Sequence, residues 1–334
     1  MQKITRKNAR IWSMLGMRRI VGMILNDLVK VDKNFMFATA DVSRYFGTAE
    51  FQRQYPEHMV DVGIAEQNLV GIAAGMQKEG LHVFAATYAT FITARALDQV
   101  RVNLGYMKLG VKLIGVGGGL AEGDLSATHM GIEDIADIRA IPNIIVISPA
   151  DGAELIKAMF SLINFDGPAY LRLSGKTNIP IIYTQDYDFR IGKSVCLKDG
   201  KDIALIGTGT IVGTALKVAK ELEARGISSR VINMHTIKPL DTEELEYLRK
   251  YRLIVSMEEH MRSGGLGSAI AEYYSDKEEK PIHQIIAVND YYPDAGEYDR
   301  LLDACGLTEE KIIKRIIDQL KRMEKRQNGK TVSY

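Results

Sequence analysis

The chain has 334 residues, 46% of them apolar and 25% charged, an ordinary globular balance with room for two domains. Its formal net charge is +1, so no general electrostatic pull toward nucleic acid or membrane is expected. The two cysteines, Cys196 and Cys305, lie far apart without a metal spacing, which predicts a reducing, cytoplasmic setting and a buried structural role for each thiol.

No apolar run approaches the length of a membrane span. The N-terminus is basic: Lys3, Arg6, Lys7, Arg10, Arg18 and Arg19 all precede Asp27, a composition that a transit peptide also has. Met17, Ile20, Val21, Ile24, Leu25 and Leu28 recur at helical spacing, however, and predict the first helix of the fold. Short apolar runs then alternate with helical patterns. "FMFATAD" (35–41) reads as a buried strand, followed by a helix from about Ala65 to Met76. "HVFAA", a helix through Val100, "VKLIGVG", a helix near Ile132–Arg139, "NIIVISP", a helix after Asp151 and "AYLRL" complete the first series.

Residues 174–192 carry Gly175, Pro180, Asp186 and Gly192 with no sustained period and read as an interdomain linker. A second series starts at "DIALIGTG" with a helix to about Arg225. "SSRVINM", "RLIVSMEEH" and "PIHQIIAVN" give three more strands, and a last helix carries Ile312, Ile313, Ile316, Ile317 and Leu320 on one face. From Lys325 the chain is polar and expected to fray. The pattern predicts an α/β protein with two doubly wound, mostly parallel sheet domains, at residues 10–180 and 190–324.

The glycines invite a nucleotide-binding reading. "GVGGGLAEGD" follows a strand, but its spacing is not G-x-G-x-x-G and no helix opens directly after it. "GTGTIVG" (207–213) misses that spacing by one residue, so its glycines are read as structural, letting a helix N-terminus approach the sheet. The six histidines are scattered, with no clustered metal motif.

Three stretches taken in order carry more information: "DVGIAEQNLVGIAAGMQKEG" (61–80), "ATYATFITARALDQVR" (86–101) and "ATHMGIEDIADIRAIPNIIVISPAD" (127–151). Together they resemble the pyrimidine-binding domain of the transketolase family. "VINMHTIKPLD" (231–241) and "EEHMRSGGLGSAIAE" (258–272) resemble that family's C-terminal domain. The resemblance runs from about Gly16 to the final helix and implies a thiamine-diphosphate-dependent enzyme.

That cofactor needs a carboxyl group at pyrimidine N1′ to favour the imino tautomer that deprotonates its thiazolium, and the motif matches this glutamate to Glu66. Bare spacing also allows a first-turn glutamate complementing the helix dipole. The family's stacking aromatic matches Phe91, with Tyr88 nearby. Arg95 matches an arginine of the related deoxyxylulose-phosphate synthases, after a one-residue insertion, and Asp41 matches an aspartate near the cofactor and the dimer interface. His129 matches the histidine facing the reacting carbonyl, and Arg18 an arginine that contacts the substrate's distal phosphate.

The chain also departs from the pattern. It has no counterpart of the Gly-Asp-Gly motif that holds the diphosphate and Mg²⁺ in complete transketolases. The resemblance is thus to the second subunit of a split transketolase, with metal and diphosphate held by an N-terminal partner subunit in a two-plus-two heterotetramer. Leu125 stands where typical transketolases have an aspartate at the sugar C2 hydroxyl, with Asp124 one position away. Gly175 followed by Lys176 replaces a phosphate-binding arginine, and Gly117 replaces a histidine. These departures lead to the expectation of a ketol transfer from a ketose donor to an aldehyde on a modified, branched or differently charged sugar. The alternatives are a deoxyxylulose-phosphate-type synthase and the β subunit of a 2-oxoacid dehydrogenase.

Overall fold

The computed structural model describes the backbone of residues 2–330 and side chains through Arg326. Two helices open the chain, α1 (Arg6–Leu15), capped by Thr5, and α2 (Met17–Val31). They lead into β1 (Phe35–Thr39), the short helices α3 (Ser43–Phe46) and α4 (Ala49–Gln54), β2 (Met59–Asp61), α5 (Glu66–Lys78) and β3 (His82–Tyr88). A π-helical turn (Phe91–Arg95), α6 (Leu97–Gln99) and a second π-helical stretch (Val100–Tyr106) follow. Then come β4 (Lys112–Gly118), α7 (Asp134–Arg139), β5 (Ile145–Ile147), α8 (Gly152–Ile163) and β6 (Ala169–Ser174). The second half runs β7 (Val195–Lys198), β8 (Ile203–Gly207), α9 (Ile211–Glu223), β9 (Ser229–Asn233), β10 (Thr236–Lys238), α10 (Thr242–Leu248), β11 (Leu253–Met261), α11 (Leu266–Tyr274), β12 (Ile282–Val288), α12 (Tyr298–Ala304) and α13 (Glu309–Lys330).

The strands form two sheets, ordered β10-β5-β6-β4-β3-β1-β2 and β12-β11-β8-β9-β7. All pairings are parallel except the edge strands β10 and β7. This is the two-sheet, doubly wound α/β fold that the alternating pattern predicts. Successive side chains of β1 serve opposite faces: Phe35 and Phe37 pack with α2 and α8, Met36 and Ala38 with α5. Each fully buried Phe, Ile or Leu contributes about 1.5–3 kcal/mol by leaving water. Among the described residues, no helix is long and apolar enough to cross a membrane.

Several elements differ from expectation. Helix α13 continues through Lys330, past the point where fraying was expected; residues 331–334 lie outside the described residues. Cys305 is buried as expected, but Cys196 is exposed, because it sits on edge strand β7 with one side of the ladder open. The linker holds no regular element yet is fixed by side chains: Asp151 accepts from the Ile182 and Tyr183 amides, at 2.8 Å each, and Tyr187 stacks on Tyr183 at 3.9 Å. Strand β10 lies beyond that linker in sequence but pairs antiparallel with β5 in the first sheet.

A buried ion pair joins the two halves. Arg172 on β6 is 1% exposed and donates through Nε to Asp134 Oδ2 at 2.8 Å. Its Nη2 donates to the carbonyls of Gly131 (2.9 Å) and of Glu259 on β11 (2.8 Å). Tyr170 donates to the same aspartate at 2.6 Å. Nearby, His260 is wholly buried. Its Nδ1–H donates to its neighbour's carbonyl and Nε2 accepts from the Ala136 amide at 3.3 Å, which requires the neutral ring. Burial holds its pKa down to about 4.

Arg172→Met leaves Asp134 buried and unpaired and should cost about 3–5 kcal/mol in urea unfolding at neutral pH. The neutral His260 stabilises the fold fully above the ordinary histidine pKa, and that contribution is lost as the pH falls from 6.5 toward about 4. Glu258 runs the opposite way, since burial raises it to about 7. The expected result is therefore differential: His260→Asn gains on wild type by up to about 1.4 kcal/mol per pH unit across that window. A difference that stays flat with pH would contradict it.

Candidate active site

In open parallel sheets, ligands bind beyond the C-terminal ends of the strands. Most of the residues singled out in the sequence converge there, on the first sheet. β3 ends at Tyr88, and the π-helical turn just after it carries Phe91 and Arg95. Helix α5 starts at Glu66, the loop beyond β4 brings Glu122 and His129, and β6 leads to Lys176. Arg18 comes in from the first turn of α2.

At the centre lie three rings. Tyr88, Phe91 and His129 have centroids 5.0–5.5 Å apart, all packed edge to face. Thr128 Oγ1 lies 2.9 Å from His129 Nδ1 and donates its own proton to the Leu125 carbonyl at 3.1 Å. The hydroxyl must therefore accept from Nδ1–H, which leaves Nε2 with the lone pair in the neutral ring.

On one side stands Glu66, only 4% exposed. A first-turn glutamate that merely complements the helix dipole would sit in water. This one is buried and accepts from Arg95 Nη1 at 2.9 Å. The Arg95 guanidinium lies 4.0 Å from the Phe91 centroid. The set offers a buried carboxylate beside a flat aromatic face, which fits the aminopyrimidine half of thiamine diphosphate. Among the described residues, no group of three or more His, Cys, Asp or Glu side chains is arranged to hold a metal ion.

On the other side lies a network that no sequence motif announced. Tyr45 of α3 donates to Glu122, and the Arg18 guanidinium stacks 3.8 Å over the Tyr45 ring, 3.9 Å from Glu122. Burial, reinforced by Glu122, raises the phenol pKa of both Tyr45 and Tyr88. Lys176 donates to Asp124 at 2.7 Å, and that bond holds the Asp124 carboxyl below its usual range. Gly117 explains how Glu122 fits. Its φ is +74°, and a Cβ there would lie 2.6 Å from Glu122 Cγ, so the carboxylate side chain fills the space of the missing side chain.

Asp41 stands apart from this network. It ends β1 at φ 56°, exposed, with its amide donating to Asp61 at 2.9 Å. Among the described residues, no hydrogen bond or ion pair joins its carboxylate to the aromatic cluster. Leu125 is 43% exposed at the rim. The 207–213 glycines pack structurally: a Cβ at Gly209 would lie 2.8 Å from the Ser148 and Ser174 hydroxyls.

Known proteins share both the fold and its division into two parts. The transketolase pyrimidine-binding domain matches residues 13–179 and the transketolase C-terminal domain residues 192–312. The chain therefore belongs to the transketolase family. One of the two subunits of an apulose-4-phosphate transketolase from Phocaeicola vulgatus is 34% identical, covering 93% of this chain and 99% of that protein. A 6-deoxy-6-sulfo-D-fructose transketolase subunit from a Clostridium species is also 34% identical, over 87% of this chain and 90% of its own length. A split-gene transketolase solved as an inactive beta4 tetramer superposes with a TM-score of 0.85 at 35% identity, covering 92% of this chain and 99% of that one. Within the family, the chain corresponds to the C-terminal subunit of the split transketolases.

Gly117→Ala should cost about 1–2 kcal/mol from the left-handed backbone alone, plus the clash with Glu122. In a Glu122→Ala background the cost should shrink toward the backbone part, as measured by a double-mutant cycle in urea. Equal costs in both backgrounds would mean that Glu122 does not fill the space beside Gly117.

Proposed function

We propose that this chain, joined to an N-terminal subunit, transfers a two-carbon ketol unit from a ketose to an aldose or other aldehyde. The observation that carries the reading is the buried Glu66 carboxylate beside the Phe91 face. When bound, thiamine diphosphate supplies the carbon nucleophile for this chemistry, with its diphosphate and Mg²⁺ held by the partner. Glu66 would then hold the proton at the pyrimidine nitrogen, and Phe91 with Tyr88 would give the ring its stacking wall. His129 would take a proton from a substrate hydroxyl through Nε2 and return it as carbon–carbon bonds break and form, oriented by Thr128.

A separate partner is supported by the apolar residues exposed on the chain: Ile64, two positions before Glu66, is 78% exposed, and Tyr106 is 83% exposed. Two copies of each chain is the stoichiometry we infer. The free, exposed Cys196 suits a reducing cytoplasm.

The distal end bears on the substrate. Arg18 and Lys176 face two carboxylates, Glu122 and Asp124, so the cluster carries no net positive charge for a terminal phosphate. We read it as suited to a sugar that is modified, branched or differently charged relative to the usual pentose phosphates. Two relatives are named for apulose 4-phosphate and for 6-deoxy-6-sulfo-D-fructose, which supports that reading.

The decisive experiment pairs the chain with a candidate partner bearing the diphosphate domain. Thiamine diphosphate with Mg²⁺ should bind the complex and not this chain alone in calorimetry. Glu66→Ala should lower ketol-transfer turnover of the complex by at least about 100-fold while assembly persists. Turnover within a few-fold of wild type would remove Glu66 from the chemistry, and pyruvate decarboxylation by the complex would favour the synthase or dehydrogenase reading. Asp124→Asn should free Lys176 and lower KM for a phosphorylated acceptor by about 3–10-fold relative to an unphosphorylated one. An unchanged ratio would mean that Lys176 does not meet the acceptor.

A further inference from the structure

We propose that Arg95 is a built-in stand-in for the cofactor's pyrimidine, occupying its subsite in the free chain and leaving when the cofactor binds. The inference rests on the functional reading above, which gives Glu66 and Phe91 to that ring. Both are already engaged by one side chain. Arg95 Nη1 donates to Glu66 Oε2 at 2.9 Å, and its guanidinium lies 4.0 Å from the Phe91 centroid. A guanidinium is flat, cationic and rimmed with N–H donors. A pyrimidine protonated at its ring nitrogen has the same three properties. The two groups therefore ask the same of this subsite: a carboxylate at the edge and an aromatic ring against the face.

The free chain has a physical reason for the arrangement. Glu66 is 4% exposed, and a buried carboxylate without a partner is strongly disfavoured. Among the described residues, Arg95 is its one ion-pair partner. Arg95 also has somewhere to go. Its side chain is 47% exposed, and it closes a π-helical turn, a wider and less regular coil than an α-helix. The backbone is held separately, by Gln67 donating to the Arg95 carbonyl at 3.2 Å, so the side chain can leave without unwinding the turn.

The consequence is competition within the site. The Arg95-in state protects Glu66 before assembly and lowers the apparent affinity for the cofactor by the fraction of chains that hold it. If about nine chains in ten do, the apparent Kd rises about tenfold.

The experiment uses the assembled two-chain complex and Arg95→Met, which keeps the length of the side chain but removes its charge and donors. Thiamine diphosphate with Mg²⁺ is titrated calorimetrically into both complexes, and the thermal midpoint of each free chain is recorded. Expected are a Kd about tenfold lower for Arg95→Met and a lower midpoint for its free chain. Equal or weaker binding by the variant would overturn the proposal and make Arg95 a bystander or a residue that holds the bound cofactor. An unchanged midpoint would overturn the protective half. Failure of the wild-type complex to bind thiamine diphosphate at all would instead sink the functional reading, and this proposal with it. Arg95→Lys should fall between the two, because an ammonium can pair with Glu66 but cannot stack as a plane.

Discussion

The whole arrangement depends on burying one guanidinium. Arg172 starts from the middle of a hydrophobic sheet, where an unpaired charge is not tolerated. It satisfies that constraint with groups from three places: the Asp134 carboxylate of α7, the Gly131 carbonyl just after His129, and the Glu259 carbonyl of β11. The first sheet, the loop bearing His129 and the second sheet are therefore positioned by the same side chain. Its path also requires Gly118, where a Cβ would lie 2.8 Å from Arg172 Cγ. The glycines after β4 clear space for side chains, which is a structural use of residues whose density suggests phosphate binding.

Much of the fold was legible because its signals are local. Apolar runs of strand length and helical spacing located nearly every long element, and the ordered motifs singled out Glu66, Phe91 and His129. What was missed depends on contacts distant in sequence. β10 has three residues, and nothing within them says that they cross to the other sheet. The turn at Phe91–Arg95 reads as an ordinary helix until tertiary packing widens it into a π-coil. Arg172 passed as a strand residue, because its acceptors come from segments separated by up to 87 positions. Tyr45 and Glu122 belong to no motif; the clue was the glycine at 117, whose empty side-chain position Glu122 takes up.

The site combines two opposite electrostatic designs. Around Glu66 a single buried carboxylate is balanced by one mobile cation, so a competing cationic ring can replace it. At the distal end, two cations are each matched by a carboxylate, and a hydroxyl-rich group meets donors and acceptors without a net field. Between them, the three edge-to-face rings form a wall that is polar only through the Tyr88 hydroxyl and the His129 nitrogens.

Strand β10 has a consequence for how such a protein can be divided. It is threaded out of the second half and closes the first sheet against β5. Cutting the chain in the irregular stretch between β6 and β7 would strip that border strand and bare a row of backbone hydrogen-bonding groups, an invitation to aggregate. The stretch resembles a hinge between modules, but the two modules are interlocked. Gene fission or domain shuffling in this lineage would have to break the polypeptide elsewhere and carry both sheets together as one heritable unit.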